Sequence, residues 1–240
     1  MRPESSMQYR RAVSGAETRS LQVRSLVVAC LMTTAFLMLV SAAYAQQPSA
    51  NVRLVAAARA GDQAAVTRAL ADGATPNARN RIGETALLIA LKTERPDLAR
   101  QMIDAGADVN LAAVNGVTPL MAAAHVGYTE IARSLLAKGA DFGAVDRLKK
   151  TAMTYAAGQG RTEIVLLLLR AGVDPNAAYE HSLTALMWAA GYGHSDTVRA
   201  LLAEGARTDL RDDRGKTALD IARDGNFSDT VRLLETLVRG

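Results

Sequence analysis

The chain has 240 residues, of which 46 are alanine, so small side chains supply much of its 49% hydrophobic content. With 4% aromatic residues, 22% charged residues and one cysteine, the composition excludes collagen-like, coiled-coil-only, disulfide-rich and multi-pass membrane proteins. The net charge of +4 and the pI of about 9.4 depend strongly on the first 45 residues.

The first 45 residues carry a pattern of their own. Five arginines precede residue 25, residues 26–40 carry no charge, and Ala43-Tyr44-Ala45 places small side chains on both sides of a tyrosine. This order is typical of a secretory signal peptide, and we predict cleavage after Ala45. The apolar run is shorter than the roughly 18 to 20 residues that span a bilayer, so an uncleaved anchor is the lesser alternative. Met7 could also be the true start.

Removal of this leader changes the predicted chemistry of the chain. Cys30 is the only cysteine, so the mature chain would have no disulfide, thiol nucleophile or thiolate metal ligand. The remaining residues include 23 Lys and Arg against 22 Asp and Glu. A nearly neutral mature chain gives little support to a nucleic-acid partner, and we predict none.

An internal repeat of 33 residues runs through the remaining chain. Threonine recurs five times at that spacing, and each threonine is followed two positions later by a large apolar residue and five positions later by alanine. The threonines are Thr85, Thr118, Thr151, Thr184 and Thr217. Glycine keeps the same step at Gly73, Gly106, Gly139, Gly172 and Gly205. This regularity indicates a protein built from stacked, equal units.

Each unit has the signals of two short helices. The periodic threonine can cap the first helix with its side-chain oxygen, and Pro119 takes a favoured first helical position. After a glycine, a hydroxyl residue followed by an acid is expected to cap the second helix, at Thr129, Thr162, Ser195 and Ser228. Gly73 and its equivalents then end the second helix in the left-handed conformation. Helices this short need neighbours that cover their apolar faces.

The unit resembles the ankyrin repeat, in the Gly-x-Thr-Pro-Leu opening at residues 116–120 and the Gly-Ala-Asp-Val-Asn close at residues 106–110. The resemblance covers residues 47–240 in six units, at about 47–79, 80–112, 113–145, 146–178, 179–211 and 212–240. It implies an all-α repeat fold, the ankyrin solenoid of stacked helix pairs with β-hairpin fingers.

The chain departs from the family pattern in two ways. The histidine that usually follows Thr-Pro-Leu is absent, which predicts a loss of stability or a shift to apolar packing at Leu88, Met121, Thr154, Met187 and Asp220. Three fingers carry a glycine, at Gly83, Gly116 and Gly215. Lys149 and Ser182 take that place in the other two, so these fingers are expected to turn less tightly.

Signals of enzymatic chemistry are thin. The chain has three histidines, His125, His181 and His194, and no phosphate loop, Gly-x-Ser-x-Gly sequence or metalloprotease motif. His125 and His181 belong to separate units, and His194 occupies the position of the family's frequent Gly-His pair. We predict no catalytic site, no metal and no cofactor.

The resemblance implies recognition through the finger tips and the inner face of the first helices. Carried over by position, the predicted partner-binding residues are Val114, Val117, His125, Val126, Leu148, Lys150, His181, Leu183 and Tyr192. An apolar centre with a charged rim is the usual composition of a protein-binding patch. The valines and Leu148 could instead pack finger against finger, the basic finger 147–150 either meets an acidic partner or is simply solvated, and Trp188 is predicted to be core.

The sequence therefore predicts an exported, monomeric, non-enzymatic protein that presents a concave surface to a partner protein, without stable membrane insertion after cleavage. A bacterial periplasm is the expected compartment, with the extracellular space as the alternative. A secreted effector that binds host proteins and a structural support for a periplasmic enzyme remain open. An enzyme or small-ligand binder is least favoured, because it requires convergent polar groups that the sequence does not offer.

Overall fold

The computed structural model describes Met32 and residues 48–238. The predicted cleavage site and Cys30 lie outside the described residues. Residues 49–238 belong to one compact unit. None of the helices described is both long and apolar enough to cross a bilayer.

Twelve α-helices, arranged in pairs, account for most of residues 50–238. The first helices of the pairs are α1 (Ala50–Ala60), α3 (Ala86–Lys92), α5 (Pro119–Val126), α7 (Ala152–Gly158), α9 (Ala185–Gly191) and α11 (Ala218–Asp224). The second helices are α2 (Gln63–Ala71), α4 (Pro96–Asp104), α6 (Thr129–Ala137), α8 (Thr162–Arg170), α10 (Ser195–Ala203) and α12 (Ser228–Val238). The predicted all-α repeat stack is confirmed.

The fingers are turns rather than β-hairpins with strands. Across the described residues, only two isolated antiparallel bridges occur, between Arg79 and Thr85 and between Ala178 and Thr184. Each arm of a finger is too short to form a ladder before the next helix begins at the periodic threonine. A single 3₁₀ turn, Glu180–Ser182, occupies one finger.

The periodic threonines cap the first helices as predicted. Thr85, Thr118, Thr151, Thr184 and Thr217 each accept a hydrogen bond from the backbone N–H three residues later. In four units the threonine N–H in turn donates to the side chain at that later position, which is Met121, Thr154, Met187 or Asp220. A sulfur, a hydroxyl or a carboxylate oxygen thus acts as the acceptor at the position where the family has histidine. Leu88, at the same position in another unit, has no acceptor atom in its side chain and is buried.

The predicted hydroxyl caps of the second helices are wrong for α6, α8 and α10. Thr129, Thr162 and Ser195 are the first residues inside these helices, and the residue before each makes no side-chain cap bond. The N–H groups of Thr129, Thr162 and Ser195 donate to the carbonyl of the glycine two positions earlier. Each helix therefore starts one residue earlier than it would if the hydroxyl residue were its cap. Two hydroxyls instead join neighbouring units, Thr162 to Thr197 at 2.8 Å and Ser195 to Thr230 at 2.9 Å.

The first helices pack against each other in chain order, from α1 to α11. The periodic alanines that line their contacts are almost or fully buried: Ala57, Ala90, Ala123, Ala156, Ala189 and Ala222. The large apolar residues of the same helices are buried from Leu54 to Leu186, and burial of each contributes about 1.5–3 kcal/mol. Leu219, in the last unit, is only partly buried.

Five long loops connect the units: L1 (73–85), L2 (106–118), L3 (139–151), L4 (172–184) and L5 (205–217). Each begins with a glycine whose φ lies between 81° and 105°, which confirms the predicted left-handed helix ends. At the L1–L2 junction, the Asn77 side-chain oxygen accepts from the Asp108 N–H at 2.8 Å, and the Ile82 carbonyl accepts from the Val114 N–H at 2.9 Å. Equivalent pairs of bonds join L2 to L3 and L4 to L5.

The L3–L4 junction has neither of these bonds among the described residues. Gly143 stands where the other junctions have asparagine, so no side chain reaches across. The finger of L4 also has a different turn, because His181 and Ser182 are both left-handed, with φ of 59° and 56°. A cavity of about 550 Å³ lies at this junction and is lined in part by Phe142 and Tyr179. Burial raises the pKa of Tyr179 to about 12.

The predicted loosening of the finger at Lys149 is wrong. Lys149 adopts a φ of 56°, and its N–H bonds to the Asp146 carbonyl at 3.0 Å, as the Gly83 N–H bonds to Asn80. The Asp146 side chain fixes this turn by accepting from the N–H groups of Leu148 and Lys150, at 2.8 and 2.9 Å. The finger is therefore tight despite its strained residue.

We expect Lys149→Gly to stabilise the protein by about 0.5–1 kcal/mol, because glycine removes the left-handed strain while the turn is already fixed by Asp146. Urea unfolding followed by circular dichroism measures the change. Arg147→Gly is the matched control on the same finger, where φ is not positive, and should bring no gain. A midpoint for Lys149→Gly at or below that of the wild type would show that the turn is unstrained.

Candidate protein-binding surface

Two large aromatic side chains occupy one register of the repeat. Tyr155 in α7 and Trp188 in α9 are 33 residues apart, and both are half-buried. The equivalent positions carry Ile89, Ala122 and Ile221. We call the surface formed by the partly exposed side chains of the first helices and the finger tips the first-helix face.

Lys150 lies between the two rings. Its Nζ is 5.5 Å from the centroid of the Tyr155 ring and 4.9 Å from that of the Trp188 ring, both within the range of a cation–π contact. The Tyr155 hydroxyl donates to the Asp146 carboxylate at 2.6 Å. Burial, followed by this bond to a negative group, raises the pKa of Tyr155, so the hydroxyl keeps its proton.

Tyr192 and His125 extend this group on either side. The Tyr192 ring stacks on Trp188 with 6.1 Å between centroids and 7° between planes, and His125 meets Tyr155 edge to face at 5.6 Å. Gly158 packs against this stack, since a Cβ there would lie 3.4 Å from the Trp188 ring, at van der Waals distance. His125, Lys150, Tyr155, Trp188 and Tyr192 are called the aromatic cluster below.

A groove of about 370 Å³ adjoins the aromatic cluster. Its walls include Val117, Val126, His125 and Tyr155, with Lys92 and Glu94 at one side. The groove thus continues the aromatic surface with apolar side chains and ends at charged ones. This composition suits a protein segment with apolar and charged side chains.

The structure brings together five of the nine predicted partner-binding residues. Val117, His125, Val126, Lys150 and Tyr192 belong to the groove or the aromatic cluster. The other four lie elsewhere: Val114 and Leu148 are exposed on finger tips, His181 is on the L4 finger beside Asp213, and Leu183 packs against the core. With exposures of 56% and 66%, Val114 and Leu148 are not buried between fingers.

Sequence reasoning missed Tyr155. Trp188, predicted to be core, is partly buried and packs against the core, and its ring also borders the first-helix face. The available signal for Tyr155 was its 33-residue alignment with Trp188.

Ion pairs across this face follow the repeat as well. Glu84 in L1 pairs with Lys92 at 2.6 Å, and Lys216 in L5 pairs with Asp224, in each case across eight positions of the chain. Burial opposes ionisation of Glu84, but hydrogen bonds from Lys92 and Asn80 outweigh it and lower its pKa. Within the described ranges, no group of three or more His, Cys, Asp or Glu side chains is placed to hold a metal ion.

We expect Tyr155→Phe to lower the free energy of unfolding by about 1–2 kcal/mol, because one oxygen of the buried Asp146 carboxylate would lose its donor. Urea unfolding measures this loss. Tyr192→Phe is the matched control, since its ring is 54% exposed, and should change stability by less than about 0.5 kcal/mol. Equal losses in the two variants would contradict the role assigned to the Tyr155 hydroxyl.

Comparisons with known proteins agree with this architecture. A family model described as ankyrin repeats (3 copies) matches residues 54–146, 113–179 and 153–236. A mitochondrial disaggregase of Bos taurus is 41% identical over 69 residues, and its counterpart from Homo sapiens is 39% identical over 69 residues. Each match covers 28% of this chain and 10% of the relative, so the likeness spans about a tenth of those proteins. The family match, which extends over most of the chain, shows that this protein belongs to the ankyrin-repeat family and is built as a protein–protein interaction module.

Proposed function

We propose that the protein is an exported, non-enzymatic module that binds a partner protein through its first-helix face in a bacterial periplasm. The observation that carries this proposal is Tyr192, whose large ring is 54% exposed while it stacks on Trp188. A rigidly held, exposed aromatic ring is costly to leave in water and is typical of the residues that dominate binding energy. The groove beside it offers the apolar surface that such contacts need.

The stack itself supports a binding role. Helix packing fixes the first helices from α1 to α11, so their exposed side chains are presented with little freedom to rearrange. Preorganised surfaces lose less conformational entropy on association, which favours affinity. The likeness to the mitochondrial disaggregases covers 69 residues, about a tenth of those proteins, and gives no support to a disaggregase activity in this chain.

Export is supported by the leader pattern. Five arginines, an uncharged run at residues 26–40 and the Ala43-Tyr44-Ala45 sequence follow each other in the order of a secretory signal. A protein without cysteine after residue 45 is also compatible with an oxidising compartment, because it exposes no thiol to oxidation.

We expect affinity capture from an extract of the source organism to retain a protein on the wild-type chain and to lose it on a variant with alanine at Val117, Leu148 and Tyr192. These substitutions remove apolar area from the first-helix face, and Leu148 and Tyr192 are largely exposed, so folding should be preserved. Circular dichroism checks the fold of both proteins.

A matched variant with alanine at Arg133, Glu163 and Arg199 controls for loss of surface side chains, because these residues are exposed on the second helices. It should retain the same protein as the wild type. If the wild type retains nothing, or the two triple variants behave alike, the first-helix face is not the binding surface.

We expect osmotic shock of the source organism to release a chain that begins at Gln46, because cleavage after Ala45 frees the repeat unit into the periplasm. Amino-terminal sequencing of the released protein measures this. An Ala45→Phe variant should remain uncleaved and sediment with the membrane, since the site needs a small side chain. Recovery of the wild-type protein from the culture medium would favour the extracellular effector instead.

A further inference from the structure

We infer that the first-helix face anchors its partner through a carboxylate side chain of an acidic segment, which pairs with Lys150 between Tyr155 and Trp188. This inference rests on the proposed function and names the chemistry of the partner. It follows from a charge that the repeat leaves unpaired, from the surroundings of that charge and from the basic residues nearby.

Lys150 lacks the ion-pair partner that the charged residues in its register have in two other loops. Glu84 and Lys216 occupy the same register and pair with the residues eight positions later. Eight positions after Lys150 stands Gly158, which has no side chain. In the part of the chain that the structure describes, no carboxylate oxygen lies within 4.0 Å of the Lys150 ammonium. L2 and L4 carry Val117 and Leu183 in this register, so among the five loops L3 alone has a charge there without an ion-pair partner.

The surroundings of Lys150 strengthen an interaction with an anion. The side chain is only partly exposed, and two aromatic rings cover it at 4.9 and 5.5 Å. Cation–π contacts orient the ammonium without neutralising it. Asp146 forms no ion pair with Lys150, and its two oxygens accept from the N–H groups of Leu148 and Lys150 and from the Tyr155 hydroxyl.

Trp188, one of the two rings beside Lys150, carries a second group that has no partner. Trp188 Nε1 is buried and has no hydrogen-bond acceptor. Among the described residues, it is the one buried side-chain nitrogen or oxygen without a hydrogen-bond partner. Buried polar groups in proteins are nearly always partnered. Any acceptor oxygen can satisfy the buried indole N–H, whereas the ammonium specifically favours an oxygen that carries negative charge, so the carboxylate anchor rests on Lys150.

The charge of the neighbouring fingers favours an acidic polypeptide segment. Arg81, Arg147 and Lys149 are exposed on L1 and L3, and none forms an ion pair with a described residue. On L5, Arg207, Arg214 and Lys216 pair with acidic residues of the chain, and L4 has no lysine or arginine. A segment with several acidic residues would meet the unpaired basic side chains, while its apolar side chains would contact the groove.

Selection from a displayed library of random dodecapeptides on the immobilised full chain tests the inference. We expect the selected peptides to be enriched in Asp and Glu, and a peptide with Gln in place of the anchoring Glu to bind roughly tenfold more weakly. Trp188 is the single tryptophan, so its fluorescence reports titration of each synthetic peptide directly at the site. The affinity should also fall as the salt concentration rises.

Two pairs of variants assign the effect to Lys150. Lys150→Met keeps the apolar stem, removes the charge and should weaken binding about tenfold, whereas Lys149→Met removes a neighbouring charge and should weaken it less. Gly158→Asp places a carboxylate at the position that Asp224 holds opposite Lys216, and should neutralise Lys150 internally and weaken binding similarly. Gly158→Asn has nearly the same shape without the charge and should weaken binding less than Gly158→Asp, so the difference between the two variants isolates the charge.

The outcomes separate this inference from the proposed function. Peptides that bind equally with Glu and Gln, or that bind Lys150→Met like the wild type, would overturn the carboxylate anchor, while a partner captured through Val117, Leu148 and Tyr192 would still uphold the binding face. A library that yields no Lys150-dependent peptide would overturn the anchor as well. Equal weakening by Gly158→Asp and Gly158→Asn would indicate a steric effect on Trp188 and would also contradict it.

Discussion

The seam between the first helices is the interaction on which the rest of the molecule depends. Helices of seven to eleven residues have little stability of their own in water, and each acquires it from the units on both sides. Alanine at the periodic positions lets the helix backbones approach, and the large apolar residue three positions earlier fills the space beside the contact. The spacing of 33 residues is therefore a packing constraint, and the surface positions are those that this constraint leaves free.

The side chains of the first-helix face stand at positions that the packing of the first helices does not fix. In α7 and α9, one register outside the seam holds Tyr155 and Trp188, and Gly158 in α7 packs against the Trp188 ring. The finger turn of L3 fixes Asp146, which holds the Tyr155 hydroxyl and leaves the side chain of Lys150 over both rings. Rigid packing and a local turn thus set the geometry of the cluster together.

The sequence predicts the fold well because the signals that determine it are local and repeated. A threonine cap, a buried alanine and a left-handed glycine each act within a few residues of their own position. The start of the second helices was misjudged by one residue at Thr129, because the preceding glycine carbonyl, and not the hydroxyl, sets the helix start. Lys149 was expected to loosen its turn, yet the carboxylate three residues earlier overrides the preference of its backbone.

The candidate site is harder to predict because its residues meet across units. Tyr192 could be identified by its position alone, since the repeat normally leaves that position exposed. The contact of Lys150 with Trp188 joins residues 38 positions apart, in two neighbouring units. Such a contact becomes apparent only when neighbouring units are aligned.

The stack of repeats should deform most easily at the L3–L4 junction. At the other three junctions, a side-chain bond and a backbone bond join the loop edges, whereas the L3–L4 junction lacks both of these bonds and borders a cavity. Van der Waals contacts resist separation less steeply with distance than short, directional hydrogen bonds do. Bending of the repeat stack should therefore concentrate at this junction, beside Lys149 and Thr151, with the repeats on either side of it moving as stiffer halves.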